Sequence, residues 1–188
     1  MTLNEKLLEK VARAAIDHNL ADAVFTRVKT PIGRLIVVQS DKGICRIAFK
    51  DQTEDEVLGE VSDKLGPRVV FSKEETRPVS DALLAYLEGD PIEFDMAVDL
   101  ALVSSPFRRK VLTRLEKVPR GKVVTYGGLA RSAGKPRAAR ATGSACATNP
   151  VPLVVPCHRV VPSGGGVGNY GGGPELKEWL LRMEGAIQ

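Results

Sequence analysis

The chain has 188 residues, 43% of them hydrophobic and 27% charged, with a net charge of +4. That composition is ordinary for a globular protein with room for one large domain or two small ones, and no apolar run reaches the roughly 20 residues that span a bilayer. Cys45, Cys146 and Cys157 are widely spaced and odd in number, and with His18 and His158 they form no CxxC or HxxxH pair, which excludes a disulfide scaffold and a structural zinc site of the usual spacing.

Residues 3–20 place Leu3, Leu7, Leu8, Val11, Ala14, Ala15 and Leu20 near helical spacing, which predicts an amphipathic helix. Charged residues interleave with its leucines and no apolar core region precedes a cleavage site, so the segment is not read as a secretory signal. VFTRVKT (24–30), RLIVVQS (34–40) and GICRIAF (43–49) are β-branched runs bounded by Pro31–Gly33 and Asp41–Gly43, which predicts a three-strand meander. Thr53 with Glu56 three residues on is a capping box that opens a helix over 53–65. A short strand over 68–71, a helix over 78–88 stopped by Gly89, and a half-buried strand over 93–100 follow, the last from its alternation. Residues 1–100 are therefore expected to form an α/β domain built on a small, mostly antiparallel sheet with helices.

The rest of the chain, 105–188, is expected to be mostly helical. Ser105-Pro106 starts a helix, Pro119–Gly121 turns the chain, and KVVTY (122–126) leads into a short helix ended by Gly134. A second helix started by Pro136 completes a helix-turn-helix, winged-helix-like in character. An apolar β-branched run over 151–161, a glycine loop from Gly164 to Gly173 and a closing helix over 174–183 finish the domain. Charge divides along the same line: residues 105–188 hold 14 Lys and Arg against 4 Asp and Glu, while residues 1–104 hold 13 against 19. A basic half suggests a polyanionic partner on that side, although a solvated basic face is an equally good account of charge alone.

Chemistry centres on Pro156-Cys157-His158-Arg159-Val160. A cysteine in an apolar run is more often an inert core residue than a nucleophile, but a buried His-Arg pair makes the inert reading costly, because polar groups inside a core must be satisfied. A working thiol needs a base, and imidazole titrates near neutrality. On an extended strand adjacent side chains oppose each other, so His158 reaches the sulfur only through a water or a bend after Pro156, and an acid such as Glu184 should orient it. Arg137-Ala138-Ala139-Arg140 sets small residues between two arginines, which lets a helix approach DNA closely, although a packed helix with exposed arginines has the same pattern. Tyr170, set among glycines, suggests a hinged lid whose ring stacks on a planar ligand, with exposed N–H groups from Gly171 onward.

Taken in order, TYGGLA, GKPRAARATGSA, NPVPLVVPCHRVV, GNYGGG, KEWLL and EG over 122–184 resemble the O6-alkylguanine-DNA alkyltransferases. TPIGRLIVVQSDKGICRIAF resembles that family's first hairpin more loosely. The resemblance implies direct repair of double-stranded DNA: irreversible, single-turnover transfer of the alkyl group of O6-alkylguanine, and of O4-alkylthymine, to Cys157. It implies His158 as the base acting through a water, Glu184 as the acid that holds it, and Asn149 as a hinge bracing the helix-turn-helix. Tyr126 would press on the target's 3′ phosphate and Arg140 would fill the gap left by the flipped base, with Arg137, Ala138 and Ala139 also at the DNA. Tyr170, Gly171, Val160, Pro152 and Cys146 would line the substrate pocket, Val160 through its carbonyl. No cofactor, no metal and no membrane are implied, and the protein is expected to be a cytoplasmic monomer, nuclear if eukaryotic. Cys146 and Gly171 depart from bulkier or hydroxylated residues elsewhere in the family, and residues 1–23 extend past its usual start. An alkyltransferase-like protein that binds damage without transfer would lack Cys157, a helix-turn-helix regulator would need neither PCHRV nor the glycine loop, and a cysteine hydrolase would turn over.

Overall fold

The computed structural model describes residues 3–188. The chain divides into two compact units. One runs up to Glu88 and takes in Phe94–Leu102; the other comprises Gly89–Glu93 and Val103–Gln188.

The first unit contains the predicted meander: β1 (Ala23–Thr30), β2 (Gly33–Ser40) and β3 (Gly43–Ala48) pair antiparallel in sequence. Helix α2 (Glu54–Leu65) then carries the chain across to β4 (Val69–Phe71), which joins β1 in parallel, giving the order β3-β2-β1-β4. The capping box is formed: Thr53 Oγ1 accepts from the Glu56 N–H at 3.3 Å, and the Glu56 carboxylate accepts from the Thr53 N–H at 2.9 Å. Residues alternate between the faces of the sheet. Phe25, Ile36, Val38 and Phe71 pack with Val57 and Val61 of α2, Phe25 and Phe71 meeting edge to face at 5.6 Å. Leu35 and Val37 on the opposite face are buried too, and α3 (Arg77–Leu87) comes against β1.

One expectation is met in an unforeseen orientation and another fails, both for physical reasons. Helix α1 (Leu3–Asp17) forms, but the predicted apolar stripe faces solvent, with Leu7 60% and Val11 54% exposed while Ala12 is fully buried. Polar anchors decide its rotation: the Glu9 carboxylate accepts from Ser72 Oγ at 2.8 Å and from the Lys73 N–H, and Arg13 pairs with Glu74 and Glu75. The expected strand over 93–100 is not a strand. Its side chains do alternate in exposure, yet among the described residues it pairs only at the single bridge Ile44–Val98, where Ala97 and Asp99 bond to Ile44 of β3. Asp99 then turns its carboxylate onto Ser40 Oγ and the Ala101 N–H, which ends the pairing.

The second unit sets α4 (Pro106–Leu115), α5 (Tyr126–Ser132) and α6 (Ala139–Ala147) against one another, with α7 (Pro174–Met183) packed on the segment around Cys157. Two short strands, β5 (Val124–Thr125) and β6 (Val160–Val161), pair in parallel. Ser105 caps α4 as expected, and Gly134, with φ +81°, follows the end of α5. Pro136 does not start α6: it lies in the turn closed by the Ala138 N–H on the Lys135 carbonyl, so Arg137 precedes the helix and Arg140 sits in its first turn. Among the described residues no helix is long and apolar enough to cross a membrane.

Gly43 has φ +134°, and a Cβ there would stand 2.2 Å from the Ala97 carbonyl oxygen. Gly43→Ala should therefore both strain the backbone and push residues 97–99 off β3, lowering stability by about 1–3 kcal/mol. Denaturant unfolding followed by circular dichroism measures this, and an unchanged midpoint would show that the 97–99 contact contributes nothing.

Candidate active site

The apolar run 151–161, expected as an extended segment, is a pair of turns. Residues 151–155 form a turn closed by the Val155 N–H on the Val151 carbonyl, with Leu153 held at φ +75° although it is not a glycine. Cys157–Arg159 then form one turn of 3-10 helix, and only Val160 and Val161 are strand. Prolines 152 and 156 withhold N–H groups from any ladder, and Pro156 leads directly into the 3-10 turn.

That turn points three consecutive side chains in three directions. Cys157 is 6% exposed, and its Sγ accepts from Asn149 Nδ2 at 3.2 Å. His158 is fully buried, with Nε2 and Glu184 Oε1 3.0 Å apart. Arg159 reaches the same carboxylate through two nitrogens, Nε to Oε2 at 3.0 Å and to Oε1 at 3.3 Å and Nη2 to Oε1 at 2.7 Å, and donates from Nη1 to the Val118 carbonyl at 2.5 Å. Asn149, two residues past the end of α6, holds the turn from the other side: Nδ2 also donates to the Val155 carbonyl at 2.7 Å, and Oδ1 accepts from the Val151 N–H at 3.1 Å.

A cleft of about 550 Å³ opens over the sulfur. Tyr126 of α5, the residues Gly143, Ser144, Cys146 and Ala147 of α6, Cys157 itself, and Pro162, Gly168, Asn169, Tyr170 and Gly171 of the glycine loop line it. Tyr126 opens α5, whose first turn is capped by Thr125 Oγ1 accepting from the Gly128 N–H at 3.0 Å. Tyr170 lies edge-on to the His158 ring with centroids 6.2 Å apart. Pro152 and Val160, expected in the pocket, are buried and are not among the residues lining the cleft, and the Val160 carbonyl accepts from Lys177 Nζ at 2.6 Å. Arg137 and Arg140 are exposed, and Ala138 and Ala139 are partly so.

Burial dominates the ionisation of the site. It pushes the Cys157 thiol up, against the Asn149 amide and the Lys177 charge, which pull it down. Burial likewise pushes His158 below the usual histidine range, against Glu184, so the imidazole is neutral and able to take a proton. Cys146 is raised to about 12 by burial and then by Cys157, and Tyr126 is raised by burial. Among the described residues no group of three or more His, Cys, Asp or Glu side chains is placed to hold a metal ion.

One residue of the site was read in the sequence as part of a buried His-Arg pair but given no partner, and another was passed over. Arg159 completes the Glu184 cluster, and Lys177 is fully buried at the edge of the lid. The signal was available: Lys177, Leu180, Leu181 and Glu184 follow the i, i+3, i+4, i+7 spacing of one buried face, so two charged residues sit on an otherwise apolar stripe.

Comparison with known proteins agrees with this geometry. Two family models match: 6-O-methylguanine DNA methyltransferase, ribonuclease-like domain, over residues 23–100, and 6-O-methylguanine DNA methyltransferase, DNA binding domain, over residues 106–186. The methylated-DNA–protein-cysteine methyltransferase of Salmonella typhimurium is 37% identical over 163 residues, 86% of this chain and 95% of its own. The human protein of the same name is 58% identical over 80 residues, which is 42% of this chain and 39% of its own. The crystal structure of Mycobacterium tuberculosis OGT in complex with DNA superposes with a TM-score of 0.74 at 30% identity, covering 87% of this chain and 93% of that one. With both halves matched and a relative this similar along nearly its whole length, the chain belongs to the 6-O-methylguanine DNA methyltransferase family.

Proposed function

We propose that the protein repairs DNA by direct reversal, moving the alkyl group of O6-alkylguanine, and of O4-alkylthymine, from a duplex onto the sulfur of Cys157. The observation that carries this reading is one buried thiol, bonded by Asn149 and followed by the His158–Glu184 pair, opening on a cleft walled by α6 and the glycine loop. The reacting atom of a paired guanine is inaccessible inside the stack, so the nucleotide is extruded into the cleft at a cost of a few kcal/mol. Arg140, exposed in the first turn of α6, would enter the vacated stack, and Arg137, Ala138 and Ala139 lie at the same end of the helix. The protein acts as a cytoplasmic monomer, its residues 105–188 carrying both DNA contact and acceptor, and residues 1–100 forming the α/β domain.

In the transfer step the Cys157 proton passes through a water to neutral His158, whose positive charge Glu184 then balances. The thiolate attacks the alkyl carbon in line, the carbon–O6 bond breaks, and its electron pair stays on O6. The Tyr126 hydroxyl and the lid N–H at Gly171 are the donors that meet that charge, and the guanine takes up one proton for the one the sulfur lost. The thioether product has no carbonyl for water to attack, so each molecule reacts once.

Intact-mass measurement after incubation with a duplex containing O6-methylguanine should show one added methyl group per native chain and none on Cys157→Ser, which should still bind the duplex. Transfer to the serine variant at near-native rate would refute the assignment. Arg140→Ala should slow repair of duplex DNA by tenfold or more on the order expected for about 1.4 kcal/mol lost from the flipped state, while reaction with free O6-benzylguanine stays near native. Equal losses on both substrates would remove the arginine from base extrusion.

Methylation should also loosen the fold. Cys157 is 6% exposed and bonded to the amide that braces the 151–157 turn, so an added methyl overpacks the site by about 1–3 kcal/mol. Melting of the methylated chain should fall by about 2–4 °C per kcal/mol; an equal or higher midpoint would show that the turn absorbs the methyl group without strain.

A further inference from the structure

Lys177 has no part in the mechanism above, yet its burial calls for a reason, since lysine is almost never fully buried without a partner. Its side chain is wholly enclosed on α7. The ammonium donates to the Val160 carbonyl of β6 at 2.6 Å and to the Asn169 carbonyl in the glycine loop at 3.3 Å, and it lies 5.9 Å from the centre of the Tyr126 ring. Its two hydrogen-bond partners are carbonyl dipoles, not carboxylates.

The first partner follows Cys157 by three residues, and the second belongs to the loop that walls the cleft over the sulfur. One cation thus ties the lid to the strand that leaves the nucleophile. We propose that Lys177 is a positioning residue for alkyl transfer: it clamps the glycine loop at Asn169 to β6 at Val160 and presents a fixed positive charge to the Cys157 thiolate. The inference rests on the alkyl-acceptor reading of Cys157.

The other groups facing that sulfur do not supply such a charge. Tyr126 on α5 and Cys146 on α6 are both raised by burial and stay neutral, and His158 on the 3-10 turn is kept neutral until it takes the thiol proton. The Arg159 charge is bound to the Glu184 carboxylate. The Lys177 charge pulls the Cys157 thiol down and the cysteine in turn pulls the lysine up, against burial that moves each the other way. Ionising the thiol puts an anion in the field of a cation that carbonyl dipoles have already fixed, so little reorganisation is required as charge develops.

The test is the pH dependence of Cys157 alkylation by iodoacetamide, followed on the mass of the Cys157 peptide so that Cys45 and Cys146 do not contribute. It is run on the full native chain, Lys177→Gln and Lys177→Arg, with melting temperatures alongside. Glutamine keeps a donor for the carbonyls but no charge; arginine keeps both. Lys177→Gln should move the midpoint of the profile up by about one pH unit, roughly a tenfold loss of rate at pH 7, and Lys177→Arg should stay within about twofold of native. Superimposable profiles for native and Lys177→Gln would overturn the proposal, as would an arginine profile shifted as far as the glutamine one. Should the glutamine variant melt below the assay temperature, Lys177→Met, which removes the charge at little cost in packing, is read against the same two outcomes. Methyl transfer from O6-methylguanine DNA to the native chain is measured in parallel: its absence would sink the acceptor reading itself, whereas its presence with unshifted variants would sink only the role of Lys177.

Discussion

A single buried carboxylate makes the reactive segment possible. Glu184 has a fully buried side chain, and an isolated carboxylate in that position would cost several kcal/mol. Arg159 neutralises it through two nitrogens, and His158 takes the remaining direction. With those three satisfied among themselves, the turn bearing Cys157 can be packed inside the protein rather than left at the surface. Removing Glu184 would leave a buried guanidinium without its counter-ion, and the loss would be felt first by the histidine and then by the thiol. Burial keeps the histidine neutral at rest; Glu184 pulls the other way, and the Arg159 charge offsets part of that pull.

The opposite wall of the site is held by a neutral group. Asn149 bonds two backbone atoms of the 151–155 turn and the sulfur, and it follows α6 by two residues. The helix that carries Arg140 and the atom that would receive the alkyl group are therefore joined through one amide. Glu184, at the end of α7, and Asn149, just past α6, each tie the placement of a helix to the reactive turn.

Local rules read well from the sequence where the signal was local. The meander came from β-branched runs and their turn residues, and α2 from Thr53 and Glu56, because hydrogen bonds a few residues apart decide those features. Longer-range decisions did not read. The parallel pairing of β4 with β1 follows from where α2 delivers the chain, and the rotation of α1 is settled by Glu9 bonding to Ser72, 63 residues away. Residues 94–98 show the limit most clearly: alternation in exposure was correct, yet alternation says nothing about whether a neighbouring strand is within reach. At the site, the motif located Cys157, His158 and Glu184, but apolar β-branched composition suggested extension where two prolines and a left-handed Leu153 impose turns. Lys177 was overlooked because a lysine in a basic half attracts no notice until its helical face is drawn.

The 3-10 turn at Cys157–Arg159 has a consequence for how this segment can vary. With three residues per turn, each side chain leaves the axis about a third of a revolution from the last. Cys157, His158 and Arg159 thus act as a three-way divider, sending sulfur to the cleft, imidazole inward and guanidinium toward Val118. Exchange of one residue disturbs one direction. Insertion or loss of one residue rotates every assignment at once, placing imidazole or guanidinium where the sulfur belongs. The segment can therefore drift by substitution around its edges, but its length is fixed by the geometry of a single turn.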